Sequence, residues 1–177
     1  MSLSAKSNPR ARSDGFRSGA FPCLRRGFEG LSHAGPMLTQ RSRYALRAML
    51  CLARAEPARF VPMRAIAAEA QVPRKFLEFI LADMRAAGLV ESARGKTGGY
   101  RLARLPELIS FGEIIRLIEG PIALVPCVSR TAYRRCEGCT DEATCEIRRA
   151  MLAVRDASAR ILDGTSLASG GDDALAA

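Results

Sequence analysis

Four cysteines within a short stretch offer the clearest chemistry in this chain. Cys127, Cys136, Cys139 and Cys145 are spaced C-x8-C-x2-C-x5-C. Thiolates are soft donors that bind zinc or an iron–sulfur cluster. Structural zinc sites commonly use two close cysteine pairs. This stretch has one C-x2-C followed by a longer step, so spacing leaves the metal open. Disulfides are a third reading. Nothing in the sequence indicates secretion, however, and cytosolic thiols are normally kept reduced. A metal site in a cytoplasmic protein is the expectation. Cys51 differs, because it lies in a helical apolar stripe and reads as a core residue. Cys23 falls in an N-terminal segment without apolar periodicity.

The second chemical signal is positive charge. The 177 residues carry a net charge of +9, unevenly spread. Residues 1–36 hold +4, residues 37–104 hold +8, and residues 105–177 hold −3. The middle segment should therefore carry an anion-binding surface. A solvated Arg-rich surface is the bland alternative. Within the segment, Arg74 and Lys75 open a helical pattern, and Arg94, Lys96 and Arg101 crowd a glycine-rich stretch.

Other chemistries find little support. The single histidine, His33, lies in the non-periodic N-terminal segment. Within the expected helices, no two carboxylates stand three or four residues apart. "GKTGG" lacks the G-x4-G-K-[ST] spacing of a phosphate loop, and no helix follows it. No stretch approaches the roughly 20 uncharged apolar residues of a membrane span. The chain is thus expected to be neither an enzyme nor a membrane protein.

The elements that must position these residues follow from periodicity. Residues 1–36 are rich in Ser, Gly, Arg and Pro and are expected to be a disordered extension, with Met37 as the expected true start. Thr39 is a good N-cap for the amphipathic run "QRSRYALRAMLCLARA". "VPMRAIAAEA" gives a short second helix, with Ile66 and Ala67 inward. "QVP" breaks the chain, and Pro73 suits the first position of a third helix. Phe76, Leu77, Ile80, Leu81 and Met84 form its expected buried face, and Gly88 its C-cap. Leu89–Arg94 and Tyr100–Ala103 flank "GKTGG" as a β-hairpin. Ser110 caps a helix with Ile114, Leu117 and Ile118 inward. After the cysteine loop, a last helix runs from about Cys145 to Leu162. Its Ile147, Met151, Val154, Ser158 and Ile161 form a seam for another helix, one that a second chain can supply. Residues 165–177 read as a disordered polar tail.

The fold class expected is mainly α with a small β-hairpin wing: a winged helix-turn-helix domain over 37–104, then a cysteine-bearing loop and long helix over 105–164. In that order of elements the third helix fits the major groove of DNA, which is about 12 Å wide. Arg74 and Lys75 would sit at its N-terminal end. Arg94, Lys96 and Arg101 would lie along the backbone or enter the minor groove. Glycines 95, 98 and 99 would let the chain approach phosphates.

From Met37 onward the sequence resembles the Rrf2 family of bacterial transcription regulators, which includes sensors of iron–sulfur status, nitric oxide and iron. The resemblance rests on "LTQRSRYALRAMLCLA", "IAAEAQVPRKFLEFILADMRAAGLVESARGKTGGYRLAR" and "ISFGEIIRLIEGPIALVPC", and it covers nearly all of residues 37–167. It implies a homodimer formed through the long C-terminal helix and a palindromic double-stranded DNA operator. In cysteine-bearing members it also implies an iron–sulfur cluster, 2Fe–2S or 4Fe–4S, held just before that helix. The common family pattern is close to C-x5-C-x5-C. Cys139 and Cys145 match its last two positions, and Cys127 matches the first, after the "PC" element. Where one branch has a fourth ligand, a histidine, this chain has Arg148; where another has an aspartate, this chain has Arg43. The additional Cys136 would then complete an all-cysteine site.

Overall fold

The computed structural model describes residues 38–56, 59–95 and 97–169. The segment 1–36, expected to be disordered, lies outside the described residues, as do residues 170–177. Thr39 opens α1 (Gln40–Arg54), its side chain accepting a hydrogen bond from the Ser42 N–H. The apolar stripe of α1 turns Ala45, Met49, Cys51 and Leu52 into the core. Next come α2 (Met63–Glu69) and α3 (Arg74–Ala86). Between them Gln71 takes a left-handed conformation, φ 52°, which makes the turn tight. Pro73 stands at the N-cap of α3, one place before the expected position.

Gly88 ends α3 with φ 72°. Its N–H bonds to the Arg85 carbonyl, and the Leu89 N–H bonds to the Met84 carbonyl. That pair of bonds is the Schellman closure, which needs a residue tolerant of positive φ at this place. The chain then turns straight into β1 (Val90–Ala93), which pairs antiparallel with β2 (Gly99–Leu102) in the register Glu91↔Arg101. Val61 adds a bridge to Tyr100 on the far side of β2. Gly99 makes that approach possible, since a Cβ there would strike the Val61 carbonyl. A Cβ at Gly98 would likewise strike the Ala93 carbonyl. Two of the three wing glycines therefore answer to contacts within the protein rather than to phosphates.

α4 (Phe111–Glu119) starts at Ser110, whose hydroxyl accepts the Glu113 N–H at 3.1 Å. A short 3-10 turn, Pro126–Val128, follows, and α5 (Glu146–Gly164) closes the fold. One core joins α1, α2, α3, β1 and α4, with Met49, Ile66, Leu77, Ile80, Leu81, Met84, Ile109 and Ile114 among its fully buried side chains.

Three expectations need correction. Phe76 is 56% exposed and lies at the edge of the buried face, its ring 6.0 Å from that of Tyr44. In α4, Ile115 is buried and Leu117 is exposed, because the buried arc of the helix centres on Ile114. The chain does not leave the fold at Gly164. The Phe111 N–H bonds to the Thr165 carbonyl, the Leu167 N–H bonds to the Ile109 carbonyl, and Leu167 is buried in the core. None of the 19 residues of α5 is buried, and Ile147, Val154 and Ile161 of its seam are exposed.

Candidate metal centre and nucleic-acid interface

The cysteine loop is tied to α5 at both ends. Cys127 sits in the 3-10 turn, buried, and Arg155 of α5 donates to the adjacent Val128 carbonyl at 2.7 Å. Cys136 and Cys139 flank a turn closed by the Cys139 N–H on the Cys136 carbonyl, with Gly138 inside it. Arg135 donates to the carbonyls of Cys139 and Thr140, 3.0 Å each. Asp141 accepts from the Ala143 and Thr144 N–H groups and shapes the approach to the helix. Cys145 is the N-cap of α5, its Sγ accepting the Arg148 N–H at 3.4 Å.

All four sequence-predicted thiols come together around one cavity of about 340 Å³, with Val125, Glu137, Ile147 and Arg148 also on its wall. Burial pushes the Cys127 thiol above its ordinary pKa. A hydrogen bond with the neighbouring Cys136 thiol adds to the rise, while Arg148 opposes it. Tyr133 donates to Glu142 at 2.6 Å, and this bond raises the phenol. Arg148 Nε lies 3.5 Å from Glu142 Oε2 and is buried without a hydrogen-bond partner.

The donor set can be tested against the groups it could hold. Among the described residues, no three His, Cys, Asp or Glu side chains are arranged to hold a metal ion. The thiols surround a volume without converging on one point. Zinc needs four donors at about 2.3 Å from one centre. An iron–sulfur cluster spreads its thiolate ligands around several iron atoms. Four soft donors about one cavity, with the Arg148 guanidinium also on its wall and ion-paired to Glu142, fit such an anionic group in their chemistry. Sequence reasoning gave Arg148 no role beyond a missing ligand and did not single out Tyr133 or Glu142. Their partnership spans the loop and leaves no mark in spacing.

The second candidate surface is α3 with the wing. Arg74 and Lys75 are exposed in the first turn of α3, which has no acidic residue. That placement opposes the helix dipole, which favours anions at this end. It places cations beside the free N–H groups of the first turn, a favourable arrangement for phosphate. Arg74 Nε lies 3.3 Å from Glu78, an exposed pair that contributes little. Arg94 is exposed on the wing. Arg101 is engaged within the sheet, bonding to Glu91 through Nε at 2.9 Å and Nη2 at 2.7 Å, and stacking over Phe60 at 4.7 Å. Lys96 lies outside the described residues.

Comparison with known proteins gives this geometry its context. The Rrf2 family model, described as an iron-dependent transcriptional regulator, matches residues 38–170. An Rrf2-like HTH-type transcriptional regulator of Rhodobacter capsulatus is 42% identical, over 80% of this chain and 93% of its own. The structure of CymR, the global cysteine regulator of B. subtilis, matches with a TM-score of 0.61 at 33% identity, covering 74% of this chain and 92% of CymR. The IscR structure from T. potens also gives a TM-score of 0.61, at 29% identity, over 79% of this chain and 89% of IscR. With a family match over most of its length and these relatives, the chain belongs to the Rrf2 family of winged helix-turn-helix transcriptional regulators.

Proposed function

We propose that this chain regulates transcription as a dimer on double-stranded DNA, and that Cys127, Cys136, Cys139 and Cys145 hold an iron–sulfur cluster that controls binding. The observation that carries this reading is the cavity lined by all four thiols at the N-terminus of α5. Bound there, a cluster supplies a crosslink between thiolates that oxidants can break. Cys145 ties the cavity to the first turn of α5, and Arg155 ties the Cys127 turn to its middle. The exposed apolar seam of α5 pairs with a second copy, so α5 sets the distance between two DNA-reading heads. Arg74 and Lys75 offer base and phosphate contacts, and the wing cations hold the backbone. A chemical change at the loop thereby biases a distant equilibrium.

The test is operator affinity of the full chain with and without the cluster, at one salt concentration. A change of about 5–150-fold, the ordinary range of such coupling, is expected. Equal affinity rejects the switch.

One observation favours a second reading. Cys127 and Cys136 are free thiols on the wall of one cavity, and in metal-free protein mild oxidation would join them as a disulfide. Loss of two titratable thiols on mild oxidation, reversed by dithiothreitol and accompanied by a change in operator affinity, would favour it.

A further inference from the structure

The outward face of α3 departs from what a hydrogen-bonding reader of bases would carry. Its buried face is Leu77, Ile80, Leu81 and Met84. Opposite them, at helical spacing, stand Lys75, Phe79, Ala82 and Ala86, all exposed. Phe79 is 70% exposed, on the same face as Lys75 one turn earlier. Nearby Glu78 is paired with Arg74. A large aromatic ring at 70% exposure beside a cationic helix start offers apolar area whose burial against a partner is favourable. The adjacent cations select an anionic occupant. The major groove of DNA has a phosphate rim to meet them and one apolar feature on its floor, the thymine 5-methyl group.

We propose that Phe79 is a specificity-determining residue, its ring packing on thymine methyl groups in each operator half-site, with Ala82 leaving room for the close approach. The proposal rests on the DNA-binding reading given above and adds to it the kind of base that α3 prefers. Recognition through this face is apolar: it favours thymine at one or two positions and supplies no hydrogen bond from Phe79.

Removing a single methyl tests this. Duplexes selected by the full-length wild-type chain from a random pool are resynthesised with deoxyuridine replacing one thymine at a time. Affinity is then measured at fixed salt. Wild type should lose about fourfold at one or two positions per half-site, the equivalent of withdrawing one buried methyl group. Phe79→Ala should bind thymine and uracil duplexes equally at those positions. It should keep the wild-type dependence on salt, since no charge is removed. The exposed position makes loss of fold unexpected, and unchanged thermal unfolding of the variant checks it. Phe79→Leu, which keeps an apolar contact, should retain part of the discrimination. Equal binding of every thymine and uracil duplex by wild type overturns the proposal alone, as does undiminished discrimination by Phe79→Ala. Failure to bind any duplex overturns the DNA-binding reading as well.

Discussion

Arg116 on α4 and Asp163 near the end of α5 meet in a two-point ion pair, Nη1 to Oδ1 at 2.6 Å and Nη2 to Oδ2 at 2.8 Å. The pair fastens the far end of α5 to the core helix that carries Ile114 and Ile115. Gly112 leaves the space for it, since a Cβ there would strike Asp163 Oδ1. Gly112→Ala and Asp163→Asn should each lower stability by about 0.5–1 kcal/mol, the scale of a well-aligned exposed pair. The double variant should lose less than the sum, because both changes remove the same contact. Thermal or urea unfolding reads this directly.

Acid should loosen the same region. The hydrogen bonds from Arg116 hold the Asp163 carboxyl below its ordinary range. Burial pushes Glu119 up, but hydrogen bonds from Ser42 and Thr39 outweigh it and hold that carboxyl low as well. Both contributions are fully present above the unfolded carboxylate values, about 3.9 for Asp and 4.3 for Glu. They are lost as pH falls through the lower folded values. Stability should therefore decline below about pH 4, and Asp163→Asn should flatten the decline. An unchanged slope in that variant counts against the pair.

Glu119 also closes the N-terminus of α1. Its Oε1 accepts from the Thr39 N–H at 2.9 Å, from the Thr39 hydroxyl at 2.6 Å and from the buried Ser42 hydroxyl. Glu119→Ala leaves the Ser42 hydroxyl buried without that acceptor, a loss of about 1–3 kcal/mol. Glu119→Gln keeps an acceptor and should lose less. Urea midpoints of the two variants distinguish them.

The seam on α5 predicts the oligomer. Ile147, Val154 and Ile161 are exposed in a row on a helix with no buried residue. Val154→Glu or Ile161→Glu should give monomers by light scattering. Operator affinity should fall by about two to four orders of magnitude, because linked half-sites then bind separately. Wild-type protein that is monomeric at micromolar concentration contradicts the assignment.

Cys51 should stand apart from the other described cysteines. Burial, followed by a hydrogen bond with Glu69, pushes its thiol up to about 12. The thiolate is the reactive form, so alkylation of the native metal-free protein near neutral pH should spare Cys51. Mass spectrometry of peptides after brief iodoacetamide treatment checks this.

Much of the fold could be read from local pattern. α1 and α3 are long enough for periodicity to show, Thr39 and Ser110 carry their capping oxygens in sequence, and Gly88 marks a helix end. Apolar type alone does not separate the centre of a buried face from its edge, which is why Phe76 and Leu117 were expected inward. Leu167 was expected in a tail because a lone apolar residue has no period; its burial depends on the Phe111 N–H donating to the Thr165 carbonyl and the Leu167 N–H donating to the Ile109 carbonyl. In the cysteine cavity the four thiols were legible from their types. The partners of Arg148 and the engagement of Arg101 with Glu91 were not, since both arise from chain segments brought together only by folding.

The central claim is tested most directly by the iron, acid-labile sulfide and zinc content of anaerobically purified full-length protein, with the single cysteine variants alongside. Wild type and Cys51→Ser should contain iron and sulfide in matching amounts, with no stoichiometric zinc. Cys127→Ser, Cys139→Ser and Cys145→Ser should each lose both, and Cys136→Ser should show the mildest loss. Stoichiometric zinc without sulfide in the wild type, or iron and sulfide undiminished after Cys127, Cys139 and Cys145 are replaced, would contradict the account.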